Sequence, residues 1–248
     1  MSTQQKTTME ANFVGYLQGH NKYVTSIVCG RIEDESGEQK EVLISGARDK
    51  KIVIWELYEE SSEEKVGHPQ IALTGHNHFV SDLCLSSNCN YLLSSSWDKS
   101  MRLWSLKTGK CTYKFFGSKK EINSCAMSLD SRQVFSSGFD NRLTLWNIKG
   151  ELKAVSTEQN HKDCVSRIRF SPTSKYEYYA SVGWDGRIKI WSKFFKLIAS
   201  VKAHDAPVNA LSLSKNGAQL ATGSKNNEVK IWKIEAMEKA HIVYKTSS

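Results

Sequence analysis

The chain is 248 residues long and 40% hydrophobic, enough for a sizeable core in one or two domains. Its formal charge of +8 favours an acidic partner, such as nucleic acid or an anionic surface. The six cysteines include no CxxC pair, which argues against a metal site or disulfide framework; with no bilayer-length apolar run and no signal peptide, buried free thiols in the cytosol are expected.

In chain order, residues 1–12 read as a flexible polar tail and FVGYLQG (13–19) as a strand. The first full set of strands is VTSIVC (24–29), VLISGA (42–47), KIVIWEL (51–57) and QIALTG (70–75). Two acidic stretches, RIEDESGEQKE and YEESSEEKVGHP, read as surface loops between them. The second set is FVSDLCL, YLLSSS, SMRLWSL and CTYKFFG, and the third is EINSCAMS, QVFSSG, RLTLWNI and ELKAVS. The fourth is CVSRIRFS, EYYASVG, RIKIWSK and FKLIASV, and the fifth is VNALSLS, QLATGS, EVKIWKI and HIVYKTS. Apolar residues alternate along these segments, as half-buried antiparallel strands require. Beyond one or two helical turns at KIEAMEKA (233–240), no helical period is present. Segment 13–19 is an outer strand without a set of its own. An open arc, from a chain cut short after Ser248, is therefore expected in preference to a ring closed at five.

The sets share one element: SGARDKKIVIW, SSSWDKSMRLW, SSGFDNRLTLW, SVGWDGRIKIW and TGSKNNEVKIW. Each copy places Trp six residues after a turn residue and Ser or Thr four residues before it. The copies recur every 41 to 49 residues, the period of a four-stranded propeller blade. The blades are expected at about 20–75, 76–117, 118–156, 161–202 and 204–248. An upstream His completes the sets His20–Ser45–Asp49–Trp55, His76–Ser94–Asp98–Trp104 and His161–Ser181–Asp185–Trp191. In the third copy Ser118 stands in place of His, and in the fifth Asn226 stands in place of Asp. A buried hydrogen-bond chain needs these residue types, whereas a catalytic triad has no reason to recur in every repeat at one offset. Trp97, Phe139 and Trp184 each precede a turn residue, with His78 and Phe79 expected on the same face, and exposed aromatics there can anchor a docked protein.

The Gly-His to Trp-Asp pattern resembles WD40 repeats. LQGHNKYVTSI, ARDKKIVIWEL, LTGHNHFVSDLCLSS, SSSWDKSMRLWSLKTG and VGWDGRIKIW are similar to the receptor for activated C kinase family. The resemblance implies an all-β WD40 propeller, with five blades here of the seven in that family. It also implies a non-enzymatic scaffold on the head of the small ribosomal subunit. The expected partners are small-subunit rRNA, neighbouring small-subunit proteins, protein kinase C-like kinases and translation factors, with no cofactor and no metal. The family's Arg-Asp-Lys rRNA motif falls on Arg48 and Lys50, with Lys51, Lys22, Lys99 and Arg102 as further candidates. The alternative is a G-protein β-subunit-like module, against which the short N-terminal segment shows no heptads for a coiled coil, or another WD40 adaptor not bound to the ribosome.

Overall fold

The computed structural model describes residues 13–33, 37–62, 65–157, 159–175 and 177–235. The first sheet holds β1 (Val24–Glu33), β2 (Gln39–Ala47), β3 (Ile52–Ser62) and β4 (Lys65–Leu73). The second holds β5 (Val80–Leu85), β6 (Tyr91–Ser96), β7 (Ser100–Ser105) and β8 (Cys111–Phe116). The third holds β9 (Ile122–Met127), β10 (Gln133–Gly138), β11 (Leu143–Asn147) and β12 (Leu152–Val155). The fourth holds β13 (Val165–Phe170), β14 (Tyr178–Gly183), β15 (Arg187–Ser192) and β16 (Leu197–Lys202). The fifth holds β17 (Val208–Leu213), β18 (Gln219–Ser224) and β19 (Val229–Lys233). Every sheet is an antiparallel meander in chain order, and the inner strands β1, β5, β9, β13 and β17 neighbour one another in turn. This is the all-β, five-bladed propeller arrangement that the repeats predict.

Each core lies between two blades, because alternate residues of a strand face opposite neighbours. Val42, Ile44, Ile52 and Ile54 of the first blade pack on Val80, Leu83, Leu92 and Trp104 of the second. Met101, Leu103 and Phe115 meet Ile122, Val134 and Trp146. Phe135 and Leu143 meet Val165, Ile168, Tyr179 and Trp191, and Val182, Ile188 and Ile190 meet Val208, Leu211 and Leu220. Among the described residues, no such core joins the fifth blade to the first. Ile27 on β1 is 58% exposed, and Val229 and Ile231 on β19 are 75% and 58% exposed.

Four expectations need correction. Residues 13–19 are irregular rather than a strand; they run along the first blade, with Gly15 against Val66 and Gly19 against Trp55. They lie beside β4, the edge strand of the first sheet, without entering its ladder. The two acidic stretches are mostly the arms of long strands, not loops. Opposite charges facing across the ladder extend them, with Arg31 Nη2 2.7 Å from Glu41 Oε1 and Lys40 Nζ 3.1 Å from Glu56 Oε1. Cys29 is exposed, unlike the buried Cys125 and Cys164, because it lies on the uncovered side of β1. The fourth is Arg102, which is buried on β7 and not on the rim. The tail at 1–12, HIVYKTS and most of KIEAMEKA lie outside the described residues.

Candidate functional site

The hydrogen-bonded sets form in the first, second and fourth blades. In the first, the Trp55 indole donates to Ser45 Oγ (2.7 Å), Ser45 Oγ lies 2.7 Å from His20 Nε2, and His20 Nδ1 lies 2.9 Å from Asp49 Oδ2. The second repeats this through Trp104, Ser94, His76 and Asp98, at 2.9, 2.8 and 2.9 Å. The fourth does so through Trp191, Ser181, His161 and Asp185, at 2.9, 2.9 and 3.0 Å. The direction follows from the two fixed ends. An indole N–H must donate to the hydroxyl and a carboxylate can only accept, so Nδ1 carries its proton towards Asp and, in the neutral ring, Nε2 accepts the hydroxyl proton. Backbone amides complete the carboxylate: Asn77 N and Ser100 N on Asp98, Lys162 N and Arg187 N on Asp185. Ser45, Ser94 and Ser181 are at most 3% exposed, each held between an indole and an imidazole as a buried structural link.

The third and fifth blades depart as their sequences predict. Ser118 Oγ turns back to the Lys120 carbonyl, and Asp140 accepts Arg142 N with no His above it. In the fifth, Trp232 and His204 both reach Thr222 Oγ1, but Asn226 turns its amide to Glu228. His204 Nδ1 is then buried without a hydrogen bond, 3.4 Å from Glu228 Oε2. Burial, with Lys230 nearby, lowers the His204 pKa.

Burial alone would raise the carboxyl pKa values of the complete sets. The hydrogen bonds outweigh it, chiefly those from His76 and His161, and they hold Asp98 far below 3.8 and Asp185 at about 2. A depressed carboxyl stabilises the fold fully above its unfolded value and loses that contribution as pH falls through the folded value. Thermal melts should therefore show Tm dropping from pH 4 towards pH 2, and Asp185→Asn should flatten part of that drop.

The residue before each turn residue donates its N–H to the loop entering that blade. These donors are Arg48, Trp97, Phe139, Trp184 and Lys225, paired with the carbonyls of Tyr23, Phe79, Glu121, Cys164 and Pro207. One register thus lines up three aromatics with a cation at each end. Trp97 meets Phe139 edge-to-face at 5.6 Å, and Phe139 meets Trp184 likewise at 5.6 Å. His78 stacks on Trp97, with Phe79 beside it. The Arg48 guanidinium lies over Phe79 and Tyr23, at 5.2 and 5.6 Å from their centroids. The sequence-predicted docking residues are therefore one continuous arc, and Trp184 is its most open member at 40% exposure.

A family model described as WD domain, G-beta repeat matches residues 11–56, 67–105, 109–147, 152–192 and 195–233, one match per blade. The chain belongs to the WD40 family. Three relatives narrow the branch. It is 37% identical over 224 residues to cross-pathway control WD-repeat protein 2 of Flammulina velutipes, covering 90% of this chain and 69% of the relative. It is 38% identical to small ribosomal subunit protein RACK1 of Neurospora crassa, with 88% and 67% covered. It is 36% identical to the protein of that name from Caenorhabditis elegans, with 90% and 68% covered. The WD40 repeats of this chain are thus those of the RACK1 group.

Among the basic residues of this WD40 protein, Lys22, Arg48, Lys50, Lys51 and Lys99 are exposed. Lys50 and Lys99 occupy the same turn position at φ 72° and 68°. Arg102 is not a rim cation. It lies two residues before Trp104 on β7, so it shares the buried face; its Nη2 donates to the Gly75 carbonyl at 2.7 Å and it is 9% exposed. Lys189 and Lys230 lie at the same offset from their Trp and tie the Asn160 and Ala203 carbonyls. Each of the three thus holds the residue just before its blade's His.

Sequence reasoning missed the axial network. Arg169 on β13 reaches past the third blade to fork Asp82 on β5, with Nη1 to Oδ2 at 2.7 Å and Nη2 to Oδ1 at 3.1 Å. Ser124 on β9 and Ser26 on β1 donate to the same carboxylate. Asp82 is 1% exposed; burial would raise its pKa, but Arg169, then Arg167, hold it down. The available signal was a charge at an inner-strand position in FVSDLCL and VSRIRFS, where the other inner strands carry hydroxyls and apolar groups.

Proposed function

We propose that this WD40 protein is a cytoplasmic, ribosome-associated scaffold without enzymatic activity. In this reading Arg48, Lys50 and Lys51 meet phosphates of small-subunit rRNA, with Lys22 and Lys99 beside them. The aromatic arc is left to dock protein kinase C-like kinases and translation factors. The observation that carries the reading is the first-blade turn. Lys50 is held exposed in a left-handed conformation that Gly186 adopts freely at the equivalent position of the fourth blade. All five blades adopt φ of 64–73° at this position, Lys99, Asn141 and Asn227 among them, so the conformation belongs to the turn itself; what singles out the first blade is three exposed cations in one turn, Arg48, Lys50 and Lys51. The net charge of +8 and the ribosomal-subunit names of two relatives support the same assignment.

Phosphate contacts by Lys and Arg release counterions, so binding must be steeply salt-dependent. Co-sedimentation with isolated small ribosomal subunits should be strong at about 50 mM salt and fall sharply by about 200 mM. Absence of the protein from the subunit fraction at low salt would reject the reading.

A further inference from the structure

The aromatic arc rims a cup at the mouth of the propeller axis, of about 350 Å³, lined by Arg48, Phe79, Trp97, Phe139, Trp184 and Arg167, among others. We propose that this cup binds an acidic peptide segment of a partner protein, seating one large apolar side chain on the arc and a neighbouring carboxylate on Arg167. The inference deepens the docking half of the adaptor reading and does not depend on the ribosome half.

The charge count selects the ligand. Over their first six residues the five inner strands carry three charges, Asp82, Arg167 and Arg169. Arg169 takes both oxygens of Asp82, leaving Arg167 as the surplus cation. Arg167 Nη1 reaches only carbonyls, those of Asn123 (3.3 Å) and Ser166 (3.4 Å), and no carboxylate lies within ion-pair distance among the described residues. Arg48 at the opposite rim is likewise without a carboxylate among the described residues and is held over aromatic rings. No acidic side chain lines the cup. A half-buried guanidinium oriented by carbonyls, with its remaining donors free, suits a carboxylate fork.

The aromatic geometry selects a peptide over RNA. Stacking a base needs an open ring face. Here Trp97 is stacked by His78 on one side and met edge-to-face by Phe139, which Trp184 meets in turn. Trp97 thus has one face already taken, and the gaps between these mutually perpendicular rings suit an aliphatic or aromatic side chain with its backbone in the groove.

The test is fluorescence anisotropy with three labelled probes: a heptapeptide of four Glu around a central Phe, its Gln counterpart, and a uridine heptamer. The Glu peptide should bind at least tenfold more tightly than the Gln peptide. Arg167→Gln should cost the Glu peptide about tenfold, and Trp184→Ala should weaken both peptides. Both variants should still unfold cooperatively above the assay temperature, and both should co-sediment with small subunits as the wild type does. Equal affinity for the Glu and Gln peptides on the wild-type protein overturns the proposal without recourse to any variant. So does tighter binding of the uridine heptamer that Trp184→Ala or Arg167→Gln abolishes, since that would make the cup a nucleic-acid site.

Discussion

Asp82→Ala is expected to lower stability by about 3 kcal/mol in denaturant melts, the largest loss of any single inner-strand substitution. Removing one partner of a buried ion pair typically costs about 3–5 kcal/mol, because the other charge is left uncompensated. The lower end applies because the Arg169 side chain keeps 32% exposure, against 1% for Asp82. The loss should extend beyond one blade. The carboxylate also accepts from Ser26 and Ser124, so four inner strands lose a common anchor. Replacing both charges, as Asp82→Leu with Arg169→Met, should restore most of the stability, since a packed apolar pair removes the orphan. A loss below about 1 kcal/mol for Asp82→Ala would show that the network does not hold the blades together.

His161→Ala should cost about 1.5–3 kcal/mol, whereas Ser118→Ala should cost less than about 0.5 kcal/mol. The two residues stand at the same place in successive repeats. His161 lies between Ser181 and Asp185 and is 3% exposed, so its loss strands a hydroxyl and a buried carboxylate together. Ser118 makes one contact, to the Lys120 carbonyl, and no chain runs through it. Parallel guanidinium melts decide the matter. Equal losses would mean that the buried set does not stabilise the fourth blade in the way its geometry requires.

The sequence is informative wherever partners lie within one repeat. Ser45, Asp49 and Trp55 are separated by a fixed hairpin, so their offsets recur and one blade corroborates the next. Trp97, Phe139 and Trp184 are visible for the same reason, although their mutual contact is not. The position of Arg48 before Asp49 is enough to place it at the end of their arc. Interactions between repeats leave no such trace. Asp82 and Arg169 are 87 residues apart and occur once each. Arg102 reads as a rim cation only when charge is weighed above strand parity: two residues from Trp104 on one strand means the same, buried face. Residues 13–19 have the composition of a strand, but a strand also needs ladder pairing with a neighbour, and composition does not say whether that pairing forms. The acidic stretches of the first blade read as loops when their charges are counted and not paired across the ladder.

Docking of the first-blade turn on small-subunit rRNA is tested most directly by reversing the charges of that turn. Arg48→Asp with Lys50→Glu leaves every hydrogen-bonded set intact, since neither side chain belongs to one, and the double variant should melt as a folded protein. Run with small ribosomal subunits on a sucrose gradient at physiological salt, it should stay at the top while the wild-type protein travels with the subunit. A folded double variant that co-sediments as the wild type does would contradict docking through this turn.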